Sequence, residues 1–88
     1  MTVEIKKNLA YRRIAGEVFV VDAPRSEMHE LNGPAALIWE GLAAGKTKKD
    51  LVKAMTAEFE VDGETALADL EIFIKDLLES GLLSAKSD

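Results

Sequence analysis

Along the first third of the chain apolar and polar residues alternate at short spacing, and beyond Asn32 the spacing lengthens to that of a helix. Leu9, Tyr11 and Ile14 are interleaved with Arg12 and Arg13, which predicts a short, half-exposed strand. Ala15-Gly16 is a turn signal, and Glu17-Val18-Phe19-Val20-Val21-Asp22 after it is a β-branched run. Its four consecutive apolar residues predict a central strand covered on both faces. Ala23-Pro24-Arg25-Ser26 is the next turn. A weaker third strand, Glu27-Met28-His29-Glu30-Leu31, follows, and its charges suit a sheet edge, where polar side chains discourage unwanted pairing.

Asn32 is placed to cap a helix whose first turn tolerates Pro34, because the missing N–H is not needed there. Ala35, Ile38, Trp39 and Leu42 share one face of that helix, which runs to about Ala44 with Gly45 as its stop. Thr47 opens a second helix with Asp50 three residues on, a near-capping-box pair, and Leu51, Val52, Met55 and Phe59 form its stripe. Asp62 caps a third and longest helix, from about Gly63 to Ser80. Its stripe is Ala66, Leu67, Leu70, Phe73, Ile74, Leu77 and Leu78, and Gly81 ends it. Leu82 and Leu83 are expected to fold back as an apolar flap, and Ser84 to Asp88 to fray as a polar tail. All six glycines are assigned to turns or helix ends. The expected fold is one α+β domain over residues 1–88, its packed part about 9–83: a three-stranded antiparallel sheet followed by three helices that cover one face. The short turn between the second and third helices is that of a helix-turn-helix, which makes this a winged helix-turn-helix arrangement.

Composition narrows the function. Apolar residues make up 48% of the 88, enough for an ordinary core. There is no cysteine, which excludes disulfides, thiolate metal sites and thiol nucleophiles, and the single histidine is His29. No metal or cofactor is expected. Eleven basic residues against 16 acidic ones leave a net charge of −5, which repels phosphate backbones and anionic lipid. The opening Thr2-Val3-Glu4-Ile5-Lys6-Lys7 lacks a signal-peptide apolar stretch, and no apolar run approaches the roughly 18–20 residues of a membrane span. A cytoplasmic protein binding neither nucleic acid nor membrane is expected, as a monomer or, through its open edge strand, a weak dimer.

A helix-turn-helix raises the question of DNA. Between Asp62 and Ser80 there are six acids and one base, Lys75, so the helix that would enter a groove is repelled from it. Lys46, Lys48, Lys49 and Lys53 remain, and a solvated face of the second helix accounts for them. Catalysis has little to work with: His29 lies on the weak strand, no nucleophile motif accompanies it, and no phosphate loop, paired-His helix or calcium loop is present. Trp39 and Phe59 are at core spacing. The apolar stripe of the third helix is wider than one contact line, however. An apolar groove beside an open strand edge is the arrangement for β-augmentation, in which an extended peptide pairs with the edge and inserts alternate side chains in the groove. A winged-helix regulator or a generic protein–protein module is the alternative.

The run Leu31-Asn32-Gly33-Pro34-Ala35-Ala36-Leu37-Ile38-Trp39-Glu40-Gly41-Leu42 is similar to a Leu-Asn…Ala…Ile-Trp-Glu-Leu segment of the PqqD-like family. Gly45-Lys46-Thr47, then Leu51 and Val52, and the series Asp69-Leu70…Phe73-Ile74…Leu77…Gly81-Leu82-Leu83 continue the resemblance in order, from about Glu17 to Leu83. Pro24-Arg25 stands where members from quinone operons carry Pro-Glu, so the chain resembles the broader family more than the quinone members. The resemblance implies a non-catalytic winged-helix protein. Such proteins recognise the leader of a ribosomally made precursor peptide as an added strand. They present it to a modifying enzyme, such as a radical S-adenosylmethionine protein or a leader peptidase, in pyrroloquinoline quinone or related synthesis. Carried onto this chain, it implies a peptide-binding edge of Glu27, Met28, His29, Glu30 and Leu31. The implied groove on the third helix is Asp69, Leu70, Phe73, Ile74 and Leu77, although most of that helix's apolar stripe is expected to be core, and Leu31, at the strand-to-helix junction, equally fits a purely core role.

Overall fold

A computed structural model of the chain describes residues 2–7 and 9–86. Among the described residues the elements are β1 (Thr2–Ile5), β2 (Leu9–Ile14), β3 (Glu17–Asp22), β4 (Glu27–Leu31), α1 (Pro34–Ala43), α2 (Lys48–Glu58), α3 (Gly63–Glu79) and β5 (Leu83–Lys86). Strands β2, β3 and β4 form an antiparallel sheet in that order. This is the expected α+β architecture, with β3 central and three helices after the sheet.

Local chemistry explains the turns. The β2–β3 hairpin turns on Ala15 and Gly16, both at positive φ, the two-residue geometry that matches strand twist. The β3–β4 connection is a 3₁₀ turn over Ala23–Arg25, closed by a bond from the Ser26 N–H to the Ala23 carbonyl. In α2 the capping box is complete: the Asp50 N–H donates to Thr47 Oγ1 at 3.2 Å, and the Thr47 N–H donates to the Asp50 carboxylate. At α3 the Asp62 carboxylate accepts from the Thr65 N–H at 2.8 Å, which holds that carboxyl below its ordinary range.

Several details differ from the sequence reading. The cap of α1 is Gly33, one residue after Asn32, because φ +54 with ψ −131 at that position suits glycine alone. Gly41 lies inside α1 rather than at an end. A Cβ there would run into the Leu51 side chain of α2, so the glycine sets how closely the two helices approach. The four-residue apolar run of β3 is not covered on both faces: Val18 and Val20 are fully buried, whereas Val21 is 41% exposed. The helices lie on one side only, and Val21 points away from them. Residues Ser84 to Lys86, read as part of a fraying tail, extend Leu83 into β5, which pairs antiparallel with β1 from Ile5↔Leu83 to Thr2↔Lys86. Ser87 and Asp88 of that tail lie outside the described residues.

Register sorts the sheet into two faces. The inner face carries Tyr11, Val20 and His29 in one cross-strand row and Arg13, Val18 and Leu31 in the next. It packs on α1: Tyr11 meets the fully buried Trp39 edge to face at 5.7 Å, and Arg13 makes a bidentate pair with Glu40 through its Nε and Nη2. Those bonds hold the Glu40 carboxyl below its ordinary range. The core then continues through Leu51 and Met55 of α2 and Ala66, Leu70, Ile74 and Leu77 of α3. Leu82 and Leu83 close it from the end of the chain.

Candidate functional site

The outer edge of β4 pairs with no other strand among the described residues. On an antiparallel edge, alternate residues present N–H and C=O groups outward, and these are free to receive an added strand. Met28, 68% exposed, and Glu30 project on the outer face of the sheet, while Glu27, the half-buried His29 and the buried Leu31 lie on the inner face. Arg25 joins the start of this strand to the end of α3: its Nη1 donates to the Ser80 carbonyl at 2.7 Å, and its Nε lies 3.6 Å from Glu27 Oε1. His29 Nε2 lies 3.8 Å from the same carboxylate oxygen. This nitrogen is itself buried and has no hydrogen-bond partner among the described residues.

On α3, Leu70, Ile74 and Leu77 are buried in the same cluster as Leu31. The structure therefore brings these four together as core, not as an open groove. Phe73 is half-buried and packed against that cluster, and Asp69 is exposed. What remains accessible of the ten sequence-derived residues is Glu27, Met28, Glu30 and Asp69, with His29 and Phe73 partly so. At about 100° per residue, Asp69 and Phe73 occupy one flank of α3 and Leu78 and Lys75 the other, with Ile74 between the core and that second flank.

The sequence reading missed the outer sheet face. There Ala10, Val21 and Met28 form one cross-strand row and Arg12, Phe19 and Glu30 the next, with Val21 and Met28 exposed. The two-residue turn at Ala15-Gly16 would have supplied the register for β2 and β3, but the four-residue β3–β4 connection leaves the third strand's register open. Glu17 shares this face with Glu30, whose negative charge raises the Glu17 carboxyl above its ordinary range. Among the described residues no group of three or more His, Cys, Asp or Glu could hold a metal ion, and no helix is long and apolar enough to cross a membrane.

A three-stranded antiparallel sheet whose last strand, β4, leaves an open edge, followed by a helix-turn-helix and tied off by a terminal ribbon, defines a winged helix-turn-helix domain. Over residues 17–83 the chain matches the family of coenzyme PQQ synthesis protein D (PqqD), and it belongs to that family. Among solved structures it is similar to TbiB1 in complex with the TbiA(beta) leader peptide, at 28% identity and a TM-score of 0.88, over 97% of this chain and 99% of that one. It also shares its fold with lasso peptide synthetase B1 complexed with the leader peptide, at 24% identity and a TM-score of 0.87, over 97% of this chain and 100% of that one. No curated protein gives a significant match.

Proposed function

We propose that this chain binds the leader of a ribosomally made precursor peptide as an additional strand along β4 and presents it to a modifying enzyme. The observation that carries this reading is the open edge of β4 in a PqqD family member. The similarity to TbiB1, solved with a leader peptide, supports it. Main-chain hydrogen bonds to the edge supply affinity without demanding a sequence, and alternate leader side chains supply selectivity. Those directed inward meet His29, whose unpartnered Nε2 can bond a polar group, and the Phe73 side chain at the margin of the core. Those directed outward meet Met28, and fully covering a side chain of that size contributes about 1.5–3 kcal/mol. Leu31, Leu70, Ile74 and Leu77 act from beneath by fixing the strand and helix in place.

In this reading the chain is a non-catalytic peptide chaperone. The receiving enzyme is a radical S-adenosylmethionine protein, a leader peptidase or another tailoring enzyme, and the product is pyrroloquinoline quinone or a related peptide-derived compound. The test is an NMR titration of the labelled chain with the precursor peptide encoded nearest to its gene, alongside duplex DNA. Leader binding by strand addition predicts shifts concentrated on Glu27–Leu31 and on Asp69 and Phe73, with a spectrum unmoved by DNA. Shifts from DNA on α2 and α3, with none from the peptide, would favour a winged-helix regulator instead.

A further inference from the structure

On the side of α3 away from Asp69 and Phe73, a cavity of about 610 Å³ opens between the α1–α2 turn, α3 and β1. That volume falls within the roughly 300–1,000 Å³ of ligand-binding clefts. Leu42, Ile74 and Leu78, with Val3 from β1, give it apolar walls, and Lys46, Lys48 and Lys75 supply its charge. Among the described residues the only acid lining it is Glu71. This is the reverse of the chain as a whole, which carries 16 acids against 11 bases. The lysine- or arginine-based ion pairs among the described residues lie at Arg13–Glu40 and Arg25–Glu27, and neither involves one of these three lysines. Nor is the positive character a matter of the α2 terminus, because Thr47 and Asp50 already satisfy one another's backbone N–H groups there.

Three ammonium groups over hydrocarbon walls suit an apolar side chain flanked by carboxylates. The α1–α2 turn beside the cavity is tied down locally: Gly41 lets Leu51 seat against α1, and the Lys46 N–H donates to the Gly41 carbonyl at 2.9 Å. The cavity and the β4 edge lie on different flanks of α3, so both can be occupied at once. We propose that this cavity docks an acidic peptide segment bearing an apolar anchor, contributed by the enzyme that receives the leader. The identity of that partner rests on the leader-presenting reading, whereas the chemistry of the cavity stands on its own residues.

A blocked heptapeptide alternating glutamate with leucine is the probe, titrated into the labelled full-length chain at low salt. The expected result is saturable shifts at Lys46–Lys48, Lys75 and Leu78 with Glu27–Leu31 unmoved, and no such shifts from the same peptide with lysine in place of glutamate. Lys46→Glu, Lys48→Glu and Lys75→Glu together should weaken binding at least tenfold. The same three positions changed to glutamine, which removes the charge and keeps a polar head group, should weaken it in the same direction if the glutamate variant fails to fold. Absence of shifts from the acidic peptide, equal binding of the lysine peptide, or stronger shifts at the same lysines from duplex DNA would overturn the proposal. Adding the leader to the peptide-saturated sample separates the two readings. A leader that leaves β4 silent while the cavity is filled counts against strand addition alone.

Discussion

At the scale of single residues, the outer sheet face places two carboxylates where each opposes the other's charge. Glu30 raises the Glu17 carboxyl, so the folded chain holds that proton more tightly than the unfolded chain does. A raised native value means the penalty is absent below the unfolded pKa, near 4.3 for glutamate, and fully present above the native one. Glu30→Gln removes the repulsion. The variant is therefore expected to be more stable than the parent toward urea at pH 7, with the difference shrinking as the pH falls through the carboxylate range. Parallel stability–pH curves for the two proteins would contradict this account. The pair also bears on binding, because a basic leader side chain projecting beside Glu30 would relieve the same repulsion, so Glu30→Gln should weaken a basic leader even as it stabilises the domain. Legibility in the sequence was best at this scale. Thr47 with Asp50, and Asp62 three residues before Thr65, announce their helices because a cap is made within one turn of its own sequence position.

At the scale of elements, β4 is an edge strand whose neighbouring residues do opposite things with their backbone groups. In the pairing with β3, Val20↔His29 and Val21↔Met28 are successive pairs, so one of Met28 and His29 directs its N–H toward β3 and the other directs it outward. Proline removes that N–H. Of Met28→Pro and His29→Pro, one is expected to keep the melting temperature near that of the parent while losing leader affinity, and the other to lose stability first. Calorimetry together with the NMR titration checks both, and equal behaviour of the two variants would rule out strand addition on this edge. The edge itself was legible from the charges in Glu27-Met28-His29-Glu30-Leu31. The helix side of the site was less so. A period of 3.6 shows that Leu70, Phe73, Ile74 and Leu77 share a face, but not whether that face meets the core or a ligand, and the core took Leu70, Ile74 and Leu77. Strands β1 and β5 were invisible for another reason: each is four residues long, and each finds its partner at the opposite end of the chain, where no local pattern reports it.

At the scale of the whole molecule, the net charge of −5 is unevenly spread. Glu27, Glu30 and Asp69 stand on the side proposed for the leader, and Lys46, Lys48 and Lys75 stand at the cavity on the other flank of α3. The domain is thin, with extents of 38 × 35 × 19 Å, so unscreened charges on one side are felt well beyond the residues that carry them. Under the proposed function, the acidity of α3 repels phosphate and favours a leader with basic residues. Ionic strength is the direct probe of that assignment. Raising salt from about 0.01 M to about 0.1 M shortens the screening length from about 30 to about 10 Å. Leader affinity, followed by fluorescence anisotropy, should fall over that range. Glu27→Gln with Glu30→Gln should flatten the dependence while leaving the residual affinity from main-chain bonds and Met28. An affinity indifferent to salt would mean that the edge attracts the peptide by hydrogen bonding and apolar contact alone, and that the acidic side of the domain has some use other than drawing the leader in.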